Sequence, residues 1–347
     1  MRILIGMSGG VDSTVAAKRL KEEGHEVEGA VLKMHEHTEI EEAQKAAYTL
    51  GIPIHVIDCT QSFDKEVKVY LVKEYVNSRT PNPCIVCNER VKFRVLCDFA
   101  RSHGFDKIAT GHYAAISEKQ LGAETRYAVR LGDDLSKDQS YMLYRLSQDI
   151  LKMLVFPLSK AQKSVVRLES KALNIALEDK AESQEICFLP EGDHPSFVES
   201  RAGKCPAGDF VDELGRPLGK HKGIIRYTVG QRKGLGIALG ERMFVSAISA
   251  RDNTVTLAKE PAKASFVTVD GLVFCGAVAS MGEAEYRLRV KLRYLAKPVD
   301  CSVTVVDGEL ARVSLDAPAT SVTPGQSAVF YDGDGDVLFG GFIREAY

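Results

Sequence analysis

Short aliphatic runs alternate with amphipathic stretches along the first two hundred residues. Ile3–Ile5, Val27–Leu32 and Ile54–Ile57 are dense in aliphatic and β-branched side chains and read as strands. Residues 14–23, 39–50 and 62–77 carry helical patterns, and Gly24 and Gly51 stand where helix-ending residues belong. A fourth strand is expected at Lys107–Ala109, running into Thr110-Gly111-His112. Strands alternating with helices predict βαβ units and a parallel sheet, so the expected class is α/β.

The texture changes near residue 193. Glu191-Gly192-Asp193-His194-Pro195 is a breaker cluster, and Pro206, Gly208, Gly215, Pro217, Gly219 and Gly223 follow at short intervals. From about 260 the pattern is short strands: Phe266–Val269, Leu272–Phe274, Tyr286–Tyr294, Cys301–Val306, Ala311–Leu315, Ala328–Tyr331 and Val337–Ile343. Turns such as Asp307-Gly308 and Asp334-Gly335 separate them, which predicts a small all-β barrel or sandwich. The most apolar long stretch, Ala264 to Gly282, reads as two strands about a glycine turn rather than a membrane helix. Three domains are expected, over 1–193, 194–260 and 261–347.

Composition agrees with a soluble globular chain. Of 347 residues, 45% are apolar and 27% charged. Only three consecutive apolar residues precede Gly6, whereas a secretory signal needs roughly 7–15. A cytoplasmic location without membrane attachment is expected, and in that reducing setting the eight cysteines are not read as a disulfide framework. The net charge of −2 is uneven. Residues 1–199 hold 26 Lys+Arg and 30 Asp+Glu, residues 200–260 hold 11 and 6, and residues 261–347 hold 8 and 11. A positive surplus therefore falls around Lys220, Lys222, Arg226, Arg232 and Lys233, where a nucleic-acid backbone would find local positive charge.

The sharpest motif is Ser8-Gly9-Gly10-Val11-Asp12-Ser13, between a strand and a helix. Glycines let the backbone turn tightly and aim N–H groups at an anion, and the helix N-terminus adds partial positive charge. Asp12 is odd in an anion site unless it holds a divalent cation or caps the helix. The loop is neither GxxxxGK[ST] nor GxGxxG. It resembles the SGGxDS loop of N-type ATP pyrophosphatases, which cleave ATP to AMP and pyrophosphate.

The second motif is Thr80-Pro81-Asn82-Pro83-Cys84-Ile85-Val86-Cys87-Asn88. Two prolines restrict the backbone ahead of C-x-x-C and place it on a rigid loop at a helix start. A helix N-terminus favours the thiolate. A structural zinc site wants four ligands, and no second C-x-x-C exists. Cys187, in Ser183-Gln184-Glu185-Ile186-Cys187-Phe188, is a distant third candidate. Cys59, Cys97, Cys205, Cys275 and Cys301 read as ordinary thiols.

Loop and cysteines together resemble the bacterial tRNA-specific 2-thiouridylases. The resemblance extends through Ala109–Ala114, Asp134–Leu143, Ser183–Pro190, Tyr227–Ile237, Lys291–Tyr294 and Thr323–Tyr331. It implies a PP-loop catalytic domain of the adenine-nucleotide α-hydrolase type, a small central domain and a C-terminal β-barrel. It implies sulfur transfer to C2 of the wobble uridine of tRNA, with ATP and Mg²⁺. Cys187 then carries a persulfide, and Cys87 is the partner nucleophile that releases sulfur by disulfide formation. Gly6, Met7, Ser8, Gly9, Gly10, Val11, Asp12, Ser13, Leu32 and Gly111 match ATP-binding positions. Asn82, Pro83 and Cys84 match the segment beside the target base, and His112, Lys137, Asp138, Gln139, Arg293, Tyr294 and Gln326 match tRNA contacts. The implied partners are tRNA and a sulfur donor, either a cysteine desulfurase or a relay carrier. Cys84 stands where many relatives have Asp. An alternative follows: Cys84, Cys87 and Cys187 as three thiolate ligands of a [4Fe–4S] cluster with one open iron.

Overall fold

The computed structural model describes residues 1–173, 186–189, 193–238, 240–276 and 278–347. Of the motifs above, 183–185 and 190 of the Cys187 block, and 191–192 of the breaker cluster, lie outside the described residues.

A parallel sheet forms from β1 (Arg2–Gly6), β2 (Glu26–Lys33), β3 (Ile54–Asp58) and β4 (Lys107–Ala109). The hairpin β5 (Ala114–Leu121) and β6 (Glu124–Leu131) intervenes before a fifth strand, β7 (Leu154–Val155). The order is β3-β2-β1-β4-β7. Side chains alternate along β1. Ile3 and Ile5 enter one apolar layer with Val15 and Leu20 of α1 (Val11–Glu22) and Ala43, Ala46 and Ala47 of α2 (Ile40–Leu50). Leu4 enters the opposite layer with Val91 and Leu96. The sheet is covered on both faces, as a parallel sheet requires. Helix is continuous over 60–76 and 83–102, each run with one π turn, at Asp64–Lys68 and Asn88–Lys92.

The chain leaves β1 toward β2 on one side, and β4 lies on the other. This is the switch point of an open α/β sheet, where ligands bind outside the carboxyl ends of the strands. The phosphate-type loop follows β1, and Thr110-Gly111-His112 follows β4.

Strands β8 (Gly208–Val211), β9 (Pro217–His221), β10 (Phe244–Ser249) and β11 (Thr254–Ala258) make a four-stranded sheet around Phe210, Val245, Val255 and Leu257. The C-terminal strands are β12 (Lys263–Val273), β13 (Glu285–Lys291), β14 (Val299–Val306), β15 (Leu310–Thr320), β16 (Ser327–Tyr331) and β17 (Val337–Ala346). They close an antiparallel barrel in the order β12-β15-β14-β13-β16-β17, so the barrel, not the sandwich, is correct. One expectation fails here. The two strands read at 266–269 and 272–274 are a single strand. Gly271, at φ +59, lies inside β12 where the register against β17 shifts between Asp270 and Val273. Glycine there makes a bulge that bends the strand, not a turn that ends it.

The β5–β6 hairpin docks on the barrel through Asp336, whose side chain is fully buried. Lys119 Nζ lies 2.8 Å and Arg130 Nε 2.5 Å from its carboxylate, and Lys119 also reaches Asp332 at 3.2 Å. Among the described residues, no helix is long and apolar enough to cross a membrane.

Candidate active site

The loop after β1 is organised by its own hydroxyls. Ser13 Oγ accepts from the Ser8 N–H at 3.2 Å and donates to the Gly10 carbonyl at 3.2 Å. Thr14 Oγ1 donates to the same carbonyl at 2.9 Å. Gly9 has φ +77, and a Cβ there would stand 2.6 Å from Glu42 Cβ, so the contact with α2 admits only glycine. Gly111 is similarly constrained. Its Cβ would lie 2.7 Å from the Ser13 nitrogen, which brings the β4 loop flush against the start of α1. Gly10 caps α1 with no side-chain hydrogen bond, leaving the first N–H groups of the helix for an anion.

Asp12 neither caps the helix nor stands open to a cation. Lys163 Nζ lies 2.6 Å from both of its oxygens, and Tyr113 Oη donates to Oδ1 at 2.8 Å. Lys163 is itself buried and begins the helix Lys163–Ala172, where its N–H is held by Asp134 Oδ2 at 3.0 Å. Sequence reasoning missed Lys163 and Tyr113, because the Lys163–Asp12 pairing spans 151 residues and neither lies in a local motif.

On the neighbouring strands, Leu32 pairs with Ile57 of β3 and lies beyond the last β1–β2 pair, Gly6 with Ala30. Met34 follows the end of β2, and its sulfur lies 3.7 Å from Cys87 Sγ. Cys87 is therefore at the carboxyl end of the sheet. Its helix, Pro83–Cys87, starts as the prolines dictate: Pro83 is at the first position, and Asn82 Oδ1 accepts from the Cys84 N–H at 3.2 Å.

Cys84 and Cys187 are exposed, Cys87 is buried, and all three are free thiols. Cys187 is anchored by Phe188, packed edge-on against Phe63 at 5.2 Å and Phe197 at 5.4 Å. Cys84 and Cys187 both lie within electrostatic reach of Cys87, and Cys84 within reach of Cys187.

The expectation of a lowered thiol pKa fails. The protein packed around the site strips solvent from the thiols and pushes Cys87 up to about 12 and Cys187 to about 11, and raises Cys84 as well, although the side chains of Cys84 and Cys187 keep an open face. Desolvation outweighs the opposing pull of Lys92, whose ammonium favours the thiolate at each of the three. Lys92 closes the π turn five residues beyond Cys87, a spacing that keeps it near the same helix face and that the sequence reading passed over. Burial first, then Lys92, also holds His112 well below its usual value. Its neutral ring bonds Thr110 Oγ1 at 2.7 Å and packs against Phe93.

Among the described residues no three His, Cys, Asp or Glu side chains are grouped to hold a metal ion. As arranged, Cys84, Cys87 and Cys187 do not make a cradle for an iron–sulfur cluster. With Asp12 committed to Lys163, the loop also offers no open carboxylate to Mg²⁺.

The other expected tRNA contacts divide. Asp138 is buried and accepts from the Gly132 N–H at 3.2 Å and Ser140 Oγ at 2.8 Å, with Lys291 Nζ 3.6 Å away. Gln139 Oε1 accepts from the Tyr113 N–H at 3.0 Å. The Asp138 side chain faces inward, so direct RNA contact through it requires this loop to open, whereas Gln139 is half-buried. Lys137, Arg293 and Tyr294 are half-buried; Arg293 Nη2 donates to Thr323 Oγ1 at 3.2 Å, and Tyr294 packs near Tyr141. In the central sheet, Lys220 pairs with Asp209 while staying exposed, and beside the sheet Arg226 pairs with Glu199 of the helix His194–Ala202. Lys222, Arg232 and Lys233 remain exposed. A cavity of 620 Å³ opens beside Arg232 and Arg242.

A glycine-rich anion loop at the switch point of a doubly covered parallel sheet, with cysteines at the same sheet end, defines a nucleotide-binding α/β enzyme. Profile matches agree: a tRNA methyl transferase HUP domain over 1–191, a tRNA methyl transferase PRC-barrel domain over 195–259 and an aminomethyltransferase beta-barrel domain over 265–343. The chain is 40% identical to the tRNA-specific 2-thiouridylase of Clostridium acetobutylicum, over 99% of both proteins. It is 41% identical to that of Acetivibrio thermocellus, again over 99% of both, and 41% identical to that of Geotalea uraniireducens, over 99% of this chain and 95% of the relative. The chain belongs to the tRNA-specific 2-thiouridylase family.

Proposed function

We propose that the protein transfers sulfur to C2 of the wobble uridine of tRNA, using ATP to activate the C2 oxygen. What supports this reading is Cys87 at the carboxyl end of the sheet, beside Met34 Sδ at 3.7 Å, with Cys84 one helical turn before it and Cys187 within electrostatic reach, at the same sheet end as the anion loop. The N–H groups of Ser8–Ser13 and the α1 terminus bind the phosphates, and the backbone at Leu32 and Gly111 lines the nucleoside. The C2 oxygen attacks the α-phosphorus and pyrophosphate departs. The terminal sulfur of a Cys187 persulfide attacks C2, and the C2–O bond breaks to release AMP. Cys87 thiolate then attacks Cys187 Sγ, leaving 2-thiouridine and a Cys87–Cys187 disulfide, which an external thiol reduces.

Cys84, with Asn82 and Pro83, flanks the base. His112, Lys137, Arg293, Tyr294 and the exposed central cations receive the RNA, and a persulfide-bearing desulfurase or relay carrier reloads Cys187. A reaction on tRNA belongs in the cytoplasm.

Pyrophosphate release in the presence of ATP, Mg²⁺ and unmodified tRNA tests the first half. Release that requires the tRNA, and survives Cys187→Ser, is expected. Equal release without tRNA contradicts it.

A further inference from the structure

Gln326, on the loop entering β16, reaches across 246 residues to the cysteine motif: its Nε2 donates to the Thr80 carbonyl at 2.8 Å. The Thr80 N–H donates in return to the Pro324 carbonyl at 2.9 Å. Between them Gly325 has φ +91, and a Cβ there would stand 2.9 Å from Arg79 Cβ and from the Thr80 nitrogen. The two chain segments thus meet backbone to backbone.

Both sides of this contact are stiff. On the barrel side, Gly325 N–H donates to the Ile343 carbonyl at 2.9 Å, and Ile343 N–H to the Gln326 carbonyl at 2.7 Å, which pins the loop to β17. On the catalytic side, Thr80 runs through Pro81, Asn82 and Pro83 straight into Cys84. Prolines at 81 and 83 remove backbone freedom from that path, so a displaced Thr80 displaces the helix start. The central sheet unit joins the same junction, since Thr80 Oγ1 donates to Thr228 Oγ1 at 3.3 Å.

We infer that the barrel loop 323–326 is a strap that sets the stance of the cysteine loop, with Gln326 as a positioning residue acting through Thr80. The resemblance casts Gln326 as an RNA contact alone. Here its amide donor is engaged by protein, and its effect on sulfur transfer runs through the cysteine loop. The inference rests on the thiolation reading. Sulfur transfer needs C2 and the persulfide aligned, and a displacement of about 1 Å costs on the order of a hundredfold in rate.

The test uses the full-length protein as Gln326→Met, which keeps length and removes the donor, and Gly325→Ala, which forces the loops apart without adding a polar group. Single-turnover 2-thiolation at saturating tRNA and persulfide donor is measured beside tRNA affinity, with thermal unfolding to establish that each variant is folded. The strap predicts a saturated rate about tenfold or more below wild type. A wild-type saturated rate in folded Gln326→Met overturns it, whatever happens to affinity. Gln326→Met decides alone if Gly325→Ala does not fold. Iodoacetamide labelling of exposed Cys84 is the readout that needs no activity: a changed rate in the variants is expected, and an unchanged rate overturns the strap. An inactive wild type with altered Cys84 labelling in the variants sinks the thiolation reading and leaves the strap standing.

Discussion

Lys163 Nζ sits 2.6 Å from each carboxylate oxygen of Asp12, inside the loop that presents N–H groups to an anion. The pair makes the loop electrically tolerable to phosphate. A bare carboxylate about 4 Å from a phosphate costs on the order of 4 kcal/mol near a protein surface. Lys163→Met is expected to weaken ATP binding tenfold or more, with Lys163→Met/Asp12→Asn recovering much of it. Calorimetric titration of both variants checks this. Equal loss in the double variant would show that Lys163 binds ATP in its own right.

The raised thiols set a pH dependence. With Cys187 at about 11, only about one part in a thousand is thiolate at pH 8, against roughly a tenth for an unperturbed cysteine near 9. Labelling of Cys187 by iodoacetamide in the tRNA-free protein should therefore be slow at pH 7 and rise about tenfold per pH unit from 8 to 10. The same shifts bear on stability. A thiol raised in the folded state favours folding fully below its unfolded value near 9, and that contribution is lost as pH climbs toward the folded value. Fast labelling at pH 7, read by mass spectrometry, would contradict the burial account.

Arg232, Lys233 and Lys220 are all exposed, but Lys220 shares its charge with Asp209 at 2.7 Å, and half-buried Arg226 is paired with Glu199. Arg232→Glu/Lys233→Glu should lower tRNA affinity and flatten its salt dependence by about 0.7–0.9 in log–log slope for each phosphate no longer neutralised. Lys220→Gln should do much less. Filter binding across a salt series measures both, and equal effects would remove the central patch from the RNA path.

The anion loop was legible because strand, glycines and helix are contiguous between Arg2 and Glu22. The barrel was legible from strand spacing, yet Gly271 misled, since a bulge glycine and a turn glycine look alike without the partner strand. The β5–β6 hairpin went unread because Glu118, Lys119 and Gln120 blur its alternation; Gly122 was its only turn signal. Lys163 on Asp12 and Gln326 on Thr80 were invisible for a different reason. Each is a contact between residues more than a hundred positions apart, made by tertiary packing. The thiol shifts were misread because helix position is local, whereas the burial that overrides it is global.

The central claim is that Cys187 delivers sulfur to C2 of the wobble uridine. An unmodified tRNA transcript is incubated with the protein, ATP, Mg²⁺ and a persulfide donor, then digested and read by mass spectrometry. The account predicts 2-thiouridine at the wobble position with wild type and none with Cys187→Ser, which still binds ATP. Thiolation by Cys187→Ser at the wild-type level, or no 2-thiouridine from the wild type, would contradict it.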